Sequence, residues 1–211
     1  MKRIIRKYGP PIFHCINDFG QGSLAALIPF FIANFGLNYY QSASIIFCNT
    51  IVASVAQPIL GYVADRWRVP WFIPLGFSIT LVSISSIALA TSYEMILALS
   101  LIAGLGAALF HPEAALLVNR MQSNELGNAM GRFAVGGSAG FAMGPLLAGG
   151  VYVFGAHFLW CSPLLLCSVY CYISMPLRAR LIRLMLVKVK ALLHLLMRVR
   201  MIGRALVSYS L

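Results

Sequence analysis

Charged side chains are scarce in this chain, and acidic ones are the scarcest. Of its 211 residues only 10% are charged, with five acidic residues against 16 lysines and arginines, while 60% are hydrophobic. Soluble domains carry about 25% charged residues. The low charge and a mean hydropathy of +0.85 exclude an ordinary soluble domain. They predict an all-α integral membrane protein, with the lipid bilayer as its surroundings.

Patterns typical of disulfides, metal sites and nucleic-acid recognition are also missing. The five cysteines are odd in number and include no C-x-x-C pair, so they indicate neither a disulfide framework nor a metal site. The net charge of +11 comes from residues between apolar segments, and no RNP-like or zinc-finger spacing accompanies it. We therefore expect no metal, no cofactor and no nucleic-acid partner.

What the chain does contain is six apolar segments of about 20 residues, the length that spans a bilayer. These predicted spans cover residues 11–35, 42–64, 70–91, 95–118, 132–154 and 157–177. The first is interpreted as a retained span rather than a cleavable signal, because it carries His14, Asn17 and Asp18. The predicted domains are a six-helix transmembrane bundle over residues 1–177 and a basic cytoplasmic tail over residues 178–211.

Lysines and arginines give the predicted spans a direction. Four precede the first span, two lie between the second and third, two border the loop between the fourth and fifth, and eight follow the sixth. All 16 then fall on one side of the membrane, whereas the other side has Glu94 and His157 but no lysine or arginine. By the positive-inside rule, both termini are predicted to be cytoplasmic, with the bundle in the inner (plasma) membrane of the cell.

The span count predicts the fold class. The spans form two groups of three, over about residues 11–91 and 95–177. Because three is odd, the second group runs opposite to the first, as in the inverted three-helix repeats of secondary transporters. The tail has eight basic residues and no acid. That composition suits a helix on the anionic inner leaflet, and equally an unselected sequence read past the end of a damaged gene.

Ionisable groups inside the spans are the strongest functional signal. His111 and Glu113 are the ionisable residues of span 95–118, and Asp18 is the one acid of the first span. An acid at bilayer depth costs about 2.5 kcal/mol or more, which is tolerated where it faces a bundle interior or a water-filled path. The sequence predicts that the three groups meet in a polar cluster for protons or substrate; a structural network fixing helix packing is the other interpretation. The candidate residues for transport and proton coupling are Asp18, His111, Glu113, His14 and Asn17.

A second motif, GYVADRWRVP, lies between the second and third spans at residues 61–70. Gly61 permits close approach of another helix, and Asp65 with Arg66 offers a charged pair at the membrane surface. A mere polar turn is the alternative interpretation of this segment.

The fifth span contains a run of small residues, AVGGSAGFAMGPLLAGG, at residues 134–150. Gly136, Gly140 and Gly144 recur every four residues on one helical face, and Pro145 follows. This spacing predicts tight packing against another helix.

Together these motifs resemble the major facilitator superfamily and, within it, the fosmidomycin resistance protein family. The G-x-x-x-D-R of Gly61, Asp65 and Arg66 is similar to the start of the superfamily's loop motif, and the G-x-x-x-G-P from Gly140 to Pro145 resembles the antiporter motif of helix five. More specific is an ordered set across about residues 10–175: H-x-x-N-D, then G-Y-x-x-D with a following P-W, then F-H-P-E, and V-G-G with G-P-L-L-A.

The resemblance implies a transporter rather than an enzyme, one that exports small toxic compounds in exchange for protons, with fosmidomycin-like anionic antibiotics as the leading substrates. It implies a gate at Gly61, Asp65 and Arg66, and helix packing during alternating access at the glycine run with its proline. Members have twelve helices, so a second six-helix half or a second copy would complete the path. The arginine often found in helix four would fall near Ser100 and is missing, which shifts proton coupling towards the candidate residues above.

Two rival interpretations remain. One is an inactive, truncated fragment of such a permease. The other is an intramembrane enzyme that uses His111 and Glu113 as acid and base, although no nucleophile or metal set accompanies them in the sequence.

Overall fold

The computed structural model describes residues 2–67, 69, 71–121 and 125–153, and these residues form five α-helices. The helices are α1 (Lys2–Phe35), α2 (Tyr39–Trp67), α3 (Phe72–Ile87), α4 (Tyr93–Met121) and α5 (Leu126–Val153). Each coincides with one of the first five predicted spans, which confirms the all-helical class. The sixth predicted span, 157–177, and the tail, 178–211, lie outside the described residues. The six-helix repeat and the two predicted domains therefore stay predictions.

Three of the described helices are long and apolar enough to cross a membrane. They are Lys7–Phe35, Tyr39–Trp67 and Tyr93–Met121, each of 29 residues. The apolar α3 is shorter, with 16 residues. Its chain continues through Ala88, Leu89 and Ala90 in i→i+3 hydrogen bonds, the tighter winding often found at helix ends.

Local sequence explains the turn between α1 and α2. Gly36 has φ +62°, a left-handed conformation that glycine adopts without steric cost, and it ends α1. Asn38 then caps α2: its Oδ1 accepts from the Gln41 backbone N–H at 2.9 Å, and the Gln41 Oε1 accepts from the Asn38 N–H at 3.0 Å. This reciprocal pair satisfies two backbone donors at the start of α2.

Helices α1 and α5 run parallel and in close contact. A Cβ at Gly136 would meet the carbonyl of Pro11, and one at Gly144 would lie 2.5 Å from the carbonyl oxygen of Phe19. Contacts therefore advance in the same direction along both helices. Parallel first and fifth helices are expected if each helix runs opposite to the one before it. The directions of α2, α3 and α4 test this expectation.

Helix α4 provides that test, because it also packs on α2 and α3. It runs parallel to α2: the Asn49 side chain donates to the Ser100 carbonyl at 2.8 Å, and Gly61 lies beside Pro112. It runs antiparallel to α3, where Gly76 lies beside the Phe110 backbone and the Thr80 hydroxyl lies 3.4 Å from the Ala103 carbonyl oxygen. Helix α4 also runs antiparallel to α1, since Gln21 donates to the Ala103 carbonyl while Asp18 lies beside His111. The five described helices therefore alternate in direction, as successive crossings require.

The two ends of this bundle differ in chemistry. At one end α1 begins, α2 ends, α3 begins, α4 ends and α5 begins; Arg66, Arg120 and Arg132 lie towards it, and we call it the basic end. The opposite end, where α1 ends at Phe35, is called the apolar end. It holds a cluster of buried hydrophobic side chains, made of Leu24, Leu27, Phe31, Leu37, Ile45, Ile84, Ile87, Ile96, Ala103 and Ala148.

Candidate functional site

The first part of the candidate site is a histidine–aspartate pair on α1. His14 and Asp18 are four residues apart, so the helix brings them to one face. The Nε2 of His14 lies 3.1 Å from one carboxylate oxygen of Asp18. Asn17, which is fully buried, donates from its Nδ2 to the other oxygen at 3.0 Å. The H-x-x-N-D motif is thus a single hydrogen-bonded unit.

Helix α4 adds a second imidazole to this pair. The Nε2 of His111 lies 3.5 Å from the Asp18 oxygen that Asn17 also contacts. The His14 and His111 rings meet edge to face, with centroids 5.1 Å apart. We call His14, Asp18 and His111 the HDH cluster. The exposed fractions of their side chains are 11%, 16% and 24%, so the cluster is shielded yet reachable from outside the bundle.

Helix α5 forms the third wall of the HDH cluster through two residues that the sequence did not single out. The Nδ1 of His14 lies 2.7 Å from the Phe133 carbonyl oxygen, and the Phe133 ring stacks on the imidazole at 4.0 Å. A Cβ at Gly137 would lie 2.5 Å from the His14 Nε2 and 2.8 Å from an Asp18 oxygen. Only glycine leaves room for the pair here. The sequence signal for Gly137 was its position directly after Gly136, because it does not belong to the four-residue repeat of Gly136, Gly140 and Gly144.

The hydrogen bonds of His14 determine where a proton must be. A carbonyl oxygen only accepts, so the Nδ1 that faces Phe133 carries a hydrogen. The Nε2 faces an Asp18 carboxylate oxygen, and a hydrogen bond there needs a further proton, carried by either group. The pair can therefore share one proton between a nitrogen and an oxygen.

Glu113 does not join the HDH cluster, in contrast to the expected three-residue arrangement. It lies two positions beyond His111, about 200° around the helix, and so faces a different neighbour. Its side chain is 1% exposed; one oxygen lies 3.3 Å from Nη1 of Arg120. The other oxygen is buried and has no hydrogen-bond partner in the described part of the chain.

The predicted gate residues lie at the basic end of α2. Gly61 approaches Pro112 of α4, where an added Cβ would sit 3.5 Å from the proline side chain. Asp65 and Arg66 are exposed. Arg66 donates to the Tyr62 hydroxyl at 3.1 Å, and none of the ion pairs between described residues joins it to Asp65.

The predicted packing residues are placed against α1. Gly136, Gly140 and Gly144 each face α1 backbone so closely that a Cβ would collide with it. At Gly140 the collision would be with the carbonyl of Cys15, one residue from His14. Pro145 lies inside α5 directly after this run. Close backbone contact therefore holds α5 against the same face of α1 that carries the HDH cluster.

Chemically, the HDH cluster can bind a proton or another small cation, and with both imidazoles protonated it can attract an anion. A family model of the Major Facilitator Superfamily matches residues 12–192 of this chain. The match includes every residue of the cluster and the whole of the glycine run.

Curated relatives agree with that match. The chain is 33% identical to the Fosmidomycin resistance protein of Escherichia coli (strain K12) over 64% of its own length and 33% of that protein. It is also 33% identical to the uncharacterized MFS-type transporter YfnC of Bacillus subtilis (strain 168), over 69% of this chain and 36% of YfnC. It is 27% identical to the multi-drug resistance efflux pump PmrA of Streptococcus pneumoniae, over 63% of this chain and 35% of PmrA. The matched region spans about a third of the length of each relative.

Proposed function

The chain belongs to the major facilitator superfamily, and from that premise we propose that it supplies the N-terminal half of a proton-coupled efflux permease. Because this superfamily consists of membrane transporters, transport is the proposed function rather than catalysis. The observation that carries proton coupling is the HDH cluster, in which the His14 Nε2 and an Asp18 carboxylate oxygen lie 3.1 Å apart, within reach of one shared proton.

Proton coupling needs a group that changes charge when the transport path opens to either side. Imidazole is the side chain that ordinarily titrates between pH 5 and 8. In the HDH cluster two imidazoles flank one carboxylate, and the partial exposure of all three lets water deliver and remove protons. The hydrogen bond from Asn17 holds the Asp18 carboxylate in place. A change in its protonation therefore acts on the two imidazoles in a defined geometry.

The proposed substrates are small toxic compounds, with fosmidomycin-like anions as the leading class. This rests on the fosmidomycin resistance and multi-drug efflux names of the relatives. In exchange for protons the anion and the proton must not be bound together, so the HDH cluster is proposed to carry the proton while the anion binds elsewhere in the path.

The proposed moving parts lie on either side of the cluster. Asp65 and Arg66, with Gly61 at the α2–α4 contact, act in the gate. Glu113 is proposed as a second coupling carboxylate, because one of its oxygens is buried and has no hydrogen-bond partner among the described residues. The glycine run with Pro145 keeps α1 and α5 together as one body during alternating access. A second six-helix half, or a second copy, completes the path.

The proposed placement is the inner membrane with both termini cytoplasmic. Its support is the distribution of lysines and arginines, which the positive-inside rule assigns to the cytoplasm. The alternating helix directions bring α1's start and the α2–α3 and α4–α5 connections to one end, as this orientation requires.

Asp18→Asn tests the proposal. The chain is co-expressed with a matching C-terminal half, and drug efflux driven by an imposed pH gradient is measured in vesicles. We expect at least a tenfold loss in the variant, because an amide cannot hold the proton shared with His14. Glu125→Gln, which removes an exposed carboxylate at the start of α5, is the matched control and should leave efflux unchanged. If Asp18→Asn retained efflux with an unaltered pH dependence, the HDH cluster would serve helix packing and not proton coupling.

A further inference from the structure

We propose that His14, Asp18 and His111 also form a binding site for a divalent transition-metal ion of the zinc class. One ligand atom from each residue, two imidazole nitrogens and a carboxylate oxygen, lies within 4.8 Å of the other two. Two histidines and one carboxylate are a ligand set that zinc and neighbouring first-row metals use, commonly with a further position open to water or another ligand.

The measured separations are close to those of a coordinated ion. Metal–ligand distances of about 2.0–2.1 Å in a tetrahedral site place ligand atoms about 3.3–3.4 Å apart. One Asp18 oxygen lies 3.1 Å from the His14 Nε2 and the other lies 3.5 Å from the His111 Nε2, so the carboxylate would hold an ion through both oxygens or turn to offer one of them. Bringing the two imidazole nitrogens to the same separation needs a movement on the order of 1 Å, which side-chain rotation supplies without moving either helix.

Two hydrogen bonds around the cluster are those that metal ligands require. A ligating histidine usually donates its other ring N–H to a carbonyl or carboxylate, which fixes the ring and its tautomer. Here the His14 Nδ1 faces the Phe133 carbonyl oxygen at 2.7 Å, which leaves Nε2 free to ligate. Ligating carboxylates are also held by hydrogen bonds, and Asn17 donates to Asp18 at 3.0 Å.

Electrostatics give an independent argument. With its Nδ1 hydrogen directed at Phe133, a neutral His14 points an electron pair at the carboxylate of Asp18. Two acceptors face each other in that state, and a cation between them relieves the repulsion. A proton is one such cation and a divalent metal is the other. The absence of a side chain at Gly137 lets the His14 and Asp18 tips lie directly against α5.

Metal and proton therefore compete for the same atoms. The site needs no transport to form, so it does not depend on the proposed function, although the two share their residues. If proton coupling does occur here, a bound metal ion would lock the cluster in one charge state and inhibit efflux.

The direct test titrates the purified full-length chain in detergent with Co²⁺, whose visible absorption reports nitrogen and oxygen ligation, and then displaces it with Zn²⁺. We expect one ion per chain. His111→Gln and Asp18→Asn should weaken binding by about 100-fold, and Asn17→Ala, which removes only the supporting hydrogen bond, by about tenfold. The matched control is the double variant His157→Gln/His194→Gln, which removes the chain's other two histidines and should bind as the wild type does.

A second measurement keeps the inference testable if a variant fails to fold. Diethyl pyrocarbonate modifies accessible imidazoles of the wild-type chain, and mass spectrometry locates the adducts. Zn²⁺ should protect His14 and His111 at least fivefold while leaving the other two histidines reactive. Absence of Co²⁺ binding by the wild type, equal binding by the ligand variants, or protection confined to His157 and His194 would each overturn the site. Metal binding without any efflux would instead count against the proposed function alone.

Discussion

The apolar end and the basic end of the bundle bury different kinds of side chain. At the apolar end, side chains such as Leu24, Phe31, Ile45 and Ile96 are almost fully buried in one hydrophobic cluster. Towards the basic end, the buried positions include His14 and Glu113, which carry ionisable groups. Burying such groups costs free energy that packing elsewhere must offset. The difference indicates that the apolar end holds the helices together, while the basic end accommodates chemistry that stability alone would not select.

The contact between α1 and α5 joins the two ends. The glycine run follows α1 from Pro11, beside the HDH cluster, to Phe19 and Ser23, where the Ser23 hydroxyl donates to carbonyl oxygens of both helices. Close backbone packing of this kind is a main source of helix association in membranes, where no water-driven force acts between apolar faces. The predictions below test whether stability and chemistry separate along the bundle as this comparison suggests.

The largest effect is expected where a side chain would collide with backbone. Gly140→Ala places a Cβ against the Cys15 carbonyl, so the helices must separate along their length, and we expect a loss of about 3 kcal/mol in unfolding free energy. The measurement is unfolding in mixed micelles titrated with SDS. Gly131→Ala, on the same helix with nothing within 4 Å of the new Cβ, is the control. Equal stabilities of the two variants would show that the α1–α5 contact does not hold the bundle.

A smaller loss is expected from the core of the apolar end. Leu24→Ala leaves a cavity in the buried cluster, where Leu24 is 2% exposed, and should cost about 2 kcal/mol. Leu146→Ala, at a position 78% exposed, should cost little in the same unfolding assay. Proton dependence of efflux should survive in both variants when a second half is supplied. A changed pH dependence in Leu24→Ala would break the proposed separation between the two ends.

Gly137→Ala should impair function much more than stability, the opposite of Leu24→Ala. Its Cβ would meet the tips of the His14 and Asp18 side chains rather than backbone, and those tips can move aside. We expect a stability loss of about 1 kcal/mol but loss of both proton-driven efflux and Co²⁺ binding. Retained coupling with intact stability would mean that the HDH cluster tolerates displacement, and that its geometry is not what the function uses.

The smallest effect on stability is expected from Glu113→Gln. The amide keeps the shape of the side chain and an oxygen that can accept from Arg120, while it removes a buried charge, so stability should change by less than about 1 kcal/mol. Efflux driven by a pH gradient should fall if Glu113 is a coupling carboxylate. Unchanged efflux would assign coupling to the HDH cluster alone, and a loss of several kcal/mol would make the Glu113–Arg120 pair a structural element.

Sequence periodicity predicted the first five spans because hydrophobic runs of membrane length have few alternatives in lipid. Its errors are at the ends: α5 begins at Leu126 and α4 continues to Met121, so the polar connection between them is shorter than the span boundaries implied. Polar residues such as Asn119 and Asn128 lie in helical turns beyond the apolar stretch. Hydropathy does not indicate whether such polar residues are helical.

For the site, sequence determined which residues share a face of one helix, and tertiary structure decided which helices face each other. His14, Asn17 and Asp18 form one unit because of the helical repeat alone. Whether His111 or Glu113 meets that unit depends on the rotation of α4, which is set by its contacts with Gly76 on α3 and Asn49 on α2.

The same limit explains Phe133 and Gly137. A backbone carbonyl leaves no residue-type signature, and the second of two tandem glycines does not indicate what it faces; both matter here because α5 lies close against α1. The sequence by itself determined the membrane class, the helices and the family. Packing of the helices decided that two histidines and one aspartate lie together, because α1 and α4 supply these residues and α5 closes the cluster only where the three helices meet.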